Sequence, residues 1–180
     1  LLVASLSVSR LACYEIDGTP EGTWQAHGLD DSVGRVAVAV GDLDRDGDPD
    51  IVAASTGSEG IAWYESNGLP FPEFTAHAVS GADLGGWDVR VADLDGDGDL
   101  DIVVAATIQE GVVWYENDGA VPPALARHDV AMDIGDVRAV VPVDLDRDGD
   151  ADILSAAAGS DLVSWSENDG ASPPGWTTRT

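Results

Sequence analysis

The chain has 180 residues, enough for one well-buried domain or a stack of small repeated units, and at 44% apolar it is no disordered acidic chain. Its 34 acidic residues against 8 basic ones, all arginine, give a formal net charge of −26, a sign that excludes nucleic acid and anionic membrane as partners. Cys13 is the single cysteine, so no internal disulfide forms, and no stretch reaches the ~18–20 apolar residues that span a bilayer.

Residues 1–8 have the apolar run of a signal-peptide core, and Leu11, Ala12 and Cys13 faintly resemble a lipoprotein cleavage site. Arg10 sits where such a signal wants an apolar residue, and no basic leader precedes the run. The segment instead aligns, with one residue deleted, on a repeat running through the rest of the chain. Residues 1–5 match 51–55, Cys13-Tyr14-Glu15 match Trp63-Tyr64-Glu65, and His27 matches His77. Unit 1–34 is therefore expected to supply a second, third and fourth strand and to lack the first.

Unit 35–85 opens on a first strand over 36–40 and continues into an aspartate loop, Asp42-Leu43-Asp44-Arg45-Asp46-Gly47-Asp48-Pro49-Asp50. An apolar strand follows from Ile51, then an aromatic strand with Trp63 and Tyr64 that closes on Asn67-Gly68, a pair suited to the positive φ of a tight hairpin. A fourth strand carries His77. Unit 86–136 repeats this order: a first strand over 89–92, the loop Asp93-Leu94-Asp95-Gly96-Asp97-Gly98-Asp99-Leu100-Asp101, then Trp114-Tyr115-Glu116-Asn117-Asp118-Gly119 and His128. Unit 137–180 has its first strand over 137–143, the loop Asp144-Leu145-Asp146-Arg147-Asp148-Gly149-Asp150-Ala151-Asp152, and Trp165-Ser166-Glu167-Asn168-Asp169-Gly170. The loops begin 51 residues apart, at Asp42, Asp93 and Asp144.

Four short strands per unit, polar turns and no helical period predict an all-β chain. Four-stranded units of ~40–50 residues are the signature of β-propeller blades, here about four repeats with the first lacking its innermost strand. A strand series that starts out of phase is what closes a propeller ring and hides its sheet edges. An open β-solenoid is the alternative, with repeats that are usually much shorter.

Calcium takes six to eight oxygens at about 2.3–2.6 Å in a flexible shell. Aspartates at loop positions 1, 3 and 5 bend the backbone around such an ion, and glycine at position 6 (Gly47, Gly98, Gly149) permits the sharp turn. Position 7 typically offers its backbone carbonyl, and the aspartate at position 9 closes the shell. Five carboxylates in nine residues repel one another without a cation, so three calcium sites are expected, and magnesium fits less well. The expected metal residues are all fifteen loop aspartates, including Asp48, Asp99 and Asp150 at position 7. An EF-hand shares the acidic pattern but needs a glutamate at position 12, where this chain has Ala53, Val104 or Ser155 in a β-patterned strand.

The Asp-x-Asp-x-Asp-Gly-x-x-Asp loop, the following Ile-Val strand and the Trp-Tyr-Glu-Asn-Asp-Gly turn resemble the FG-GAP/VCBS repeat family, blades similar to those of the integrin α-subunit propeller and of many secreted bacterial proteins. The resemblance covers essentially the whole chain. It implies a propeller, usually of seven or eight blades, with structural calcium on one face and ligands on the other. The Phe-Gly and Gly-Ala-Pro signatures of the integrin version are absent, so integrin-like ligand recognition is not carried over. Four repeats are fewer than the usual ring, which leaves a fragment, a small ring, a homo-oligomer or further blades completing it.

A residue present in every unit answers a need of every blade. Trp63, Trp114 and Trp165 are expected to pack between blades rather than to stack on sugars, and Cys13, in their column, to be a small buried hydrophobe. His27, His77 and His128 are expected to make one repeated hydrogen bond. Trp24, Phe74, Leu125 and Trp176 form a further core column. Residues that break the pattern are the candidate ligand contacts: Trp87, where other units have Val36 and Arg138; Arg90, where they have Ala39 and Val141; and Arg138 itself. They sit on first strands, at the end away from the loops, beside the variable segments 28–34, 79–86 and 130–136.

No nucleophile elbow, phosphate loop or His-Glu-x-x-His motif is present, so no catalytic residue is assigned. The expected function is a non-enzymatic, calcium-stabilised binding or scaffold module for protein or glycan interaction, such as cell adhesion, in a secreted or cell-surface protein. The alternatives are the propeller part of a secreted polysaccharide-degrading enzyme and a lectin.

Overall fold

Alternating strands and glycine turns resolve into a series of antiparallel meanders. The computed structural model describes residues 4–6, 11–16, 24–30, 36–56, 60–69, 73–81 and 84–180. Among these, the first sheet runs β1 (Ala4–Leu6), β2 (Leu11–Ile16) and β3 (Trp24–Asp30). The second runs β4 (Val36–Gly41), β5 (Asp50–Ser55), β6 (Ile61–Ser66) and β7 (Phe74–Ser80). The third runs β8 (Gly86–Ala92), β9 (Asp101–Ala106), β10 (Gly111–Asn117) and β11 (Leu125–Ala131). The fourth runs β12 (Val137–Val143), β13 (Asp152–Ala157), β14 (Leu162–Asn168) and β15 (Trp176–Arg179). Every strand pairs only with its neighbours in sequence, so each sheet is a blade, and the first strands β4, β8 and β12 pack side by side. The chain is all-β and its architecture is that of propeller blades, the first blade having three strands. Residues 31–34 and 82–83, and the side chain of Trp24, lie outside the described residues.

The cores lie between blades. Side chains alternate across a strand, so a strand covered on both faces must be apolar throughout. In β9, Ile102, Val104 and Ala106 join the core shared with the second blade, while Val103 and Ala105 join the core shared with the fourth. The aromatic pair divides in the same way: Trp114 points forward to the fourth blade and Tyr115 back to the second, as Trp63 points forward and Tyr64 back. Removing either indole would cost about 3–5 kcal/mol. Trp63 stacks on His77 with centroids 4.5 Å apart, and Trp114 on His128 at 4.6 Å. Each histidine Nε2 lies 2.7 Å from a glutamate, Glu65 or Glu116, which is the repeated hydrogen bond expected of that column. Cys13 is buried in the core between the first and second blades.

Two kinds of β-bulge interrupt the ladders. One recurs in the first three blades: Leu29, Val79 and Val130 are the extra residues of β3, β7 and β11, and each packs against a core between blades. The other occurs on the first strands of the third and fourth blades, where the extra residues are Trp87 and Arg138. The second blade has no such shift, Val36 pairing with Ser55 and Ala37 with Ala54.

The forward columns of the fourth blade are exposed. Leu43 and Leu94 are 1% and 2% accessible, whereas Leu145 is 45%; Ile61 and Val112 are fully buried, whereas Val163 is 69%. With Val141, also exposed, they form an apolar sheet face of the kind that the second and third blades bury.

Candidate calcium loops and candidate ligand face

Each aspartate loop is shaped by its own carboxylates. At position 3, Asp44, Asp95 and Asp146 accept the N–H of the aspartate two residues on, and at position 5 Asp46, Asp97 and Asp148 do the same. These Asx turns wind the chain without a β ladder. Gly47, Gly98 and Gly149 have φ of 94°, 92° and 107°, a left-handed region that glycine occupies at little steric cost. Position 9 ties the loop to the blade. Asp50 accepts from Leu43 N at 3.0 Å and Ser66 N at 2.9 Å; Asp101 accepts from Leu94 N and Asn117 N, both at 2.9 Å; Asp152 repeats the pattern with Leu145 N and Asn168 N.

The fifteen aspartates do not converge equally. Oxygens of Asp42, Asp44 and Asp50 lie within 4.8 Å of one another, as do those of Asp93, Asp95 and Asp101, and those of Asp144, Asp146 and Asp148. Two oxygens on opposite sides of a calcium ion are at most about 5 Å apart, so each trio fits one ion. Asp42 Oδ1 is buried without a hydrogen-bond partner, an acceptor left over by the protein's own bonding. Burial pushes the pKa values of Asp44, Asp50 and Asp95 up, and that of Asp101 up to about 7. Carboxylates that resist ionising together are what a divalent cation would relieve. The position-7 carboxylates stand elsewhere: Asp48, Asp99 and Asp150 crowd Gly68, Gly119 and Gly170 of the hairpin turn, and Asp99 is paired with Arg45 of the preceding blade. Asp46, Asp97 and, unlike its counterparts Asp50 and Asp101, Asp152 lie outside the trios of their loops.

Sequence reasoning missed the residue that links these loops. Asn117 Nδ2 donates to Leu43 O at 2.8 Å, and Asn168 Nδ2 to Leu94 O at 2.7 Å, so each blade clasps the loop of the one before it. The same amides donate to Leu100 O and Ala151 O within their own blades. The signal was there: the column is asparagine in the third and fourth units and serine, Ser66, in the second.

The two inner bulges turn Trp87 and Arg138 toward each other. The Arg138 guanidinium carbon lies 3.7 Å from the centre of the Trp87 ring, and the arginine is also paired with Asp136. Trp87 is half-buried, packed against the core between the third and fourth blades, with Arg138 over its ring, so only part of the side chain is accessible. Arg90 lies apart, 3.3 Å from Asp88 on its own strand. Asp88 also accepts Val140 N at 3.1 Å and so fastens β8 to β12 beneath the pair. Bulges re-aim side chains and are common beside functional sites.

A solved structure concerned with specific recognition of non-reducing terminal N-acetylglucosamine by an Agrocybe aegerita lectin is similar to this chain, with a TM-score of 0.63 at 24% identity. The match covers 99% of this chain and 48% of that one, so the present chain spans about half its length. At this identity the likeness shows the fold. No curated protein matches the sequence. The family model for the FG-GAP-like repeat matches residues 1–53 and 42–104, and with blades and aspartate loops repeating in register, the chain belongs to the FG-GAP-like repeat family.

Proposed function

We propose that the chain is a calcium-stabilised, non-enzymatic binding module of a secreted or cell-surface protein, presenting the Trp87–Arg138 face to a protein or glycan ligand. The observation that carries the reading is the pair of inner bulges that, among the described residues, occur on the third and fourth blades. The bulge present in the first three blades packs against the cores, whereas the inner pair displays an aromatic ring and a guanidinium on adjacent blades, which supports a recognition role there. Both groups are favoured anchors in recognition, the indole for apolar faces and the guanidinium for carboxylates and hydroxyls. The similar lectin makes glycans the first class to screen. The expected result on a glycan and peptide array is a ligand whose binding weakens at least about tenfold in Trp87→Ala and in Arg138→Ala. Unchanged binding in both variants removes this face, and turnover of a polysaccharide panel replaces the module reading with the enzymatic one.

Calcium would be held by the three trios and would add charge compensation and a loop staple. Extracellular modules of this ligand type bind calcium at ~0.1–1 mM, filled outside cells and empty in cytosol, which supports the extracellular assignment.

The exposed fourth-blade face supports one further element of the reading, a following FG-GAP-like repeat bearing asparagine in the Asn117 column. Such a blade would cover Leu145, Val141 and Val163 and accept the reach of Arg147, whose counterpart Arg45 donates to Asp97 O in the next blade. A chain extended by one such repeat should melt higher than the 180-residue chain, and an equal melting temperature would remove that occupant.

A further inference from the structure

The junction between the first and second blades departs from the next junction in one telling column. Between the second and third blades, Trp63, Val79, Tyr115 and Leu125 meet in one apolar core, with Trp63 stacked on His77. The same four columns between the first and second blades are Cys13, Leu29, Tyr64 and Phe74. His27 lies opposite Cys13 in the strand register, as His77 lies opposite Trp63. A single sulfur therefore stands where the next junction holds an indole, and the exchange of leucine for phenylalanine restores only part of the volume. In the same junction an open pocket of about 340 Å3 is lined by buried Tyr64, by His27, Gly28, Leu29 and Phe74, and by Glu73 and Ala76 at the exposed rim.

We propose that this cavity binds a planar aromatic ligand of indole size carrying a neutral or positive charge. The volume falls in the range of small-molecule sites, about 300–1,000 Å3, and three of the walls are aromatic rings with faces or edges to offer. The shape argument comes from the repeat itself: this fold already holds an indole in the equivalent column, against a histidine on one side and a Tyr on the next blade. The charge argument comes from Glu73 at the rim and the net charge of −26, which repel an anion and favour an ammonium near the ring faces. Aromatic walls gain dispersion contacts with a planar ring that water does not supply, while the polar part of the lining suits an amine. The site lies on the outer rim between the first two blades and is separate from the Trp87 face.

The test is a calorimetric or NMR titration of the chain with tryptamine, indole, indole-3-acetate and N-acetylglucosamine. The expected order is tryptamine first, with a dissociation constant below about 1 mM, then indole, then indole-3-acetate at least about tenfold weaker than tryptamine. Titration with a Gly-Trp-Gly amide separates the two sources of such a ring, a free aromatic amine or a tryptophan displayed by a protein. Cys13→Trp should fill the cavity from within and abolish tryptamine binding while keeping the fold, since tryptophan occupies that column in the other three blades. Phe74→Ala removes a wall and should weaken binding at least about fivefold, and it serves as the deciding variant if Cys13→Trp does not fold. Tryptamine binding unchanged in either folded variant, no tryptamine binding at all, or binding of N-acetylglucosamine alone overturns the proposal.

Discussion

Asp101→Asn separates the calcium reading from a purely structural one. Asp101 is fully buried; its two oxygens accept Leu94 N and Asn117 N at 2.9 Å, and it belongs to the trio with Asp93 and Asp95. Asparagine keeps the shape but turns one acceptor into a donor facing a backbone N–H, which costs about 1–3 kcal/mol. It also removes a ligand. At about 1 mM calcium, a site of ~0.1–1 mM affinity contributes roughly 0.4–1.4 kcal/mol. One kcal/mol moves the melting temperature of a chain this long by about 2–4 °C. The variant should therefore melt roughly 3–18 °C below wild type in calcium. In excess chelator the wild type itself drops by several degrees, because all three sites empty. The gap to the variant then narrows by about 1–5 °C, and further because the amide carries no buried charge. Paired thermal melts in the two buffers give the result directly. An identical gap in both buffers refutes the coupling of Asp101 to an ion, and a wild-type melt indifferent to calcium refutes the metal assignment as a whole.

Asn168→Ala removes donors to Leu94 O at 2.7 Å and Ala151 O at 3.1 Å and strands the former in a buried setting, so urea unfolding should show a loss of about 2–4 kcal/mol. A loss below about 0.5 kcal/mol would deny the clasp between blades. Arg147 holds φ of 67° at the loop position where the third blade has Gly96 at 75°, so Arg147→Gly should raise stability by about 0.5–1 kcal/mol in the same assay. A loss instead would mean that the side chain holds a contact worth more than the strain. In chelator, pH offers a further check. The folded pKa of Asp101 is raised to about 7, so between about 4 and 7 the native state binds more protons than the unfolded one. Metal-free stability should fall as pH rises through that window, and calcium should flatten or reverse the trend; a metal-free stability that rises instead would contradict the burial cause.

The 51-residue period carried the fold. A loop, an apolar strand, an aromatic strand and a histidine strand in fixed order define a blade by local pattern alone, because strand alternation and turn chemistry are local properties. Of the recurring column, Trp63, Trp114 and Cys13 lie in cores between blades, whereas Trp165 is half-buried and belongs to none of these cores; of the residues that break the pattern, Trp87 and Arg138 lie on inner bulges and Arg90 does not. What tertiary structure alone decided are the facts that depend on where two blades meet. A bulge shifts one residue of register against a partner strand, so the sequence can show Trp87 as unusual but not as facing Arg138. All fifteen loop aspartates are metal candidates by sequence, and only the loop's curvature shows Asp50 and Asp101 turned inward and the carboxylates of Asp48 and Asp99 turned toward the hairpin turn. The reach of Asn117 to a carbonyl 74 residues earlier, and the pocket between Leu29 and Tyr64, exist only once one blade is laid against the next.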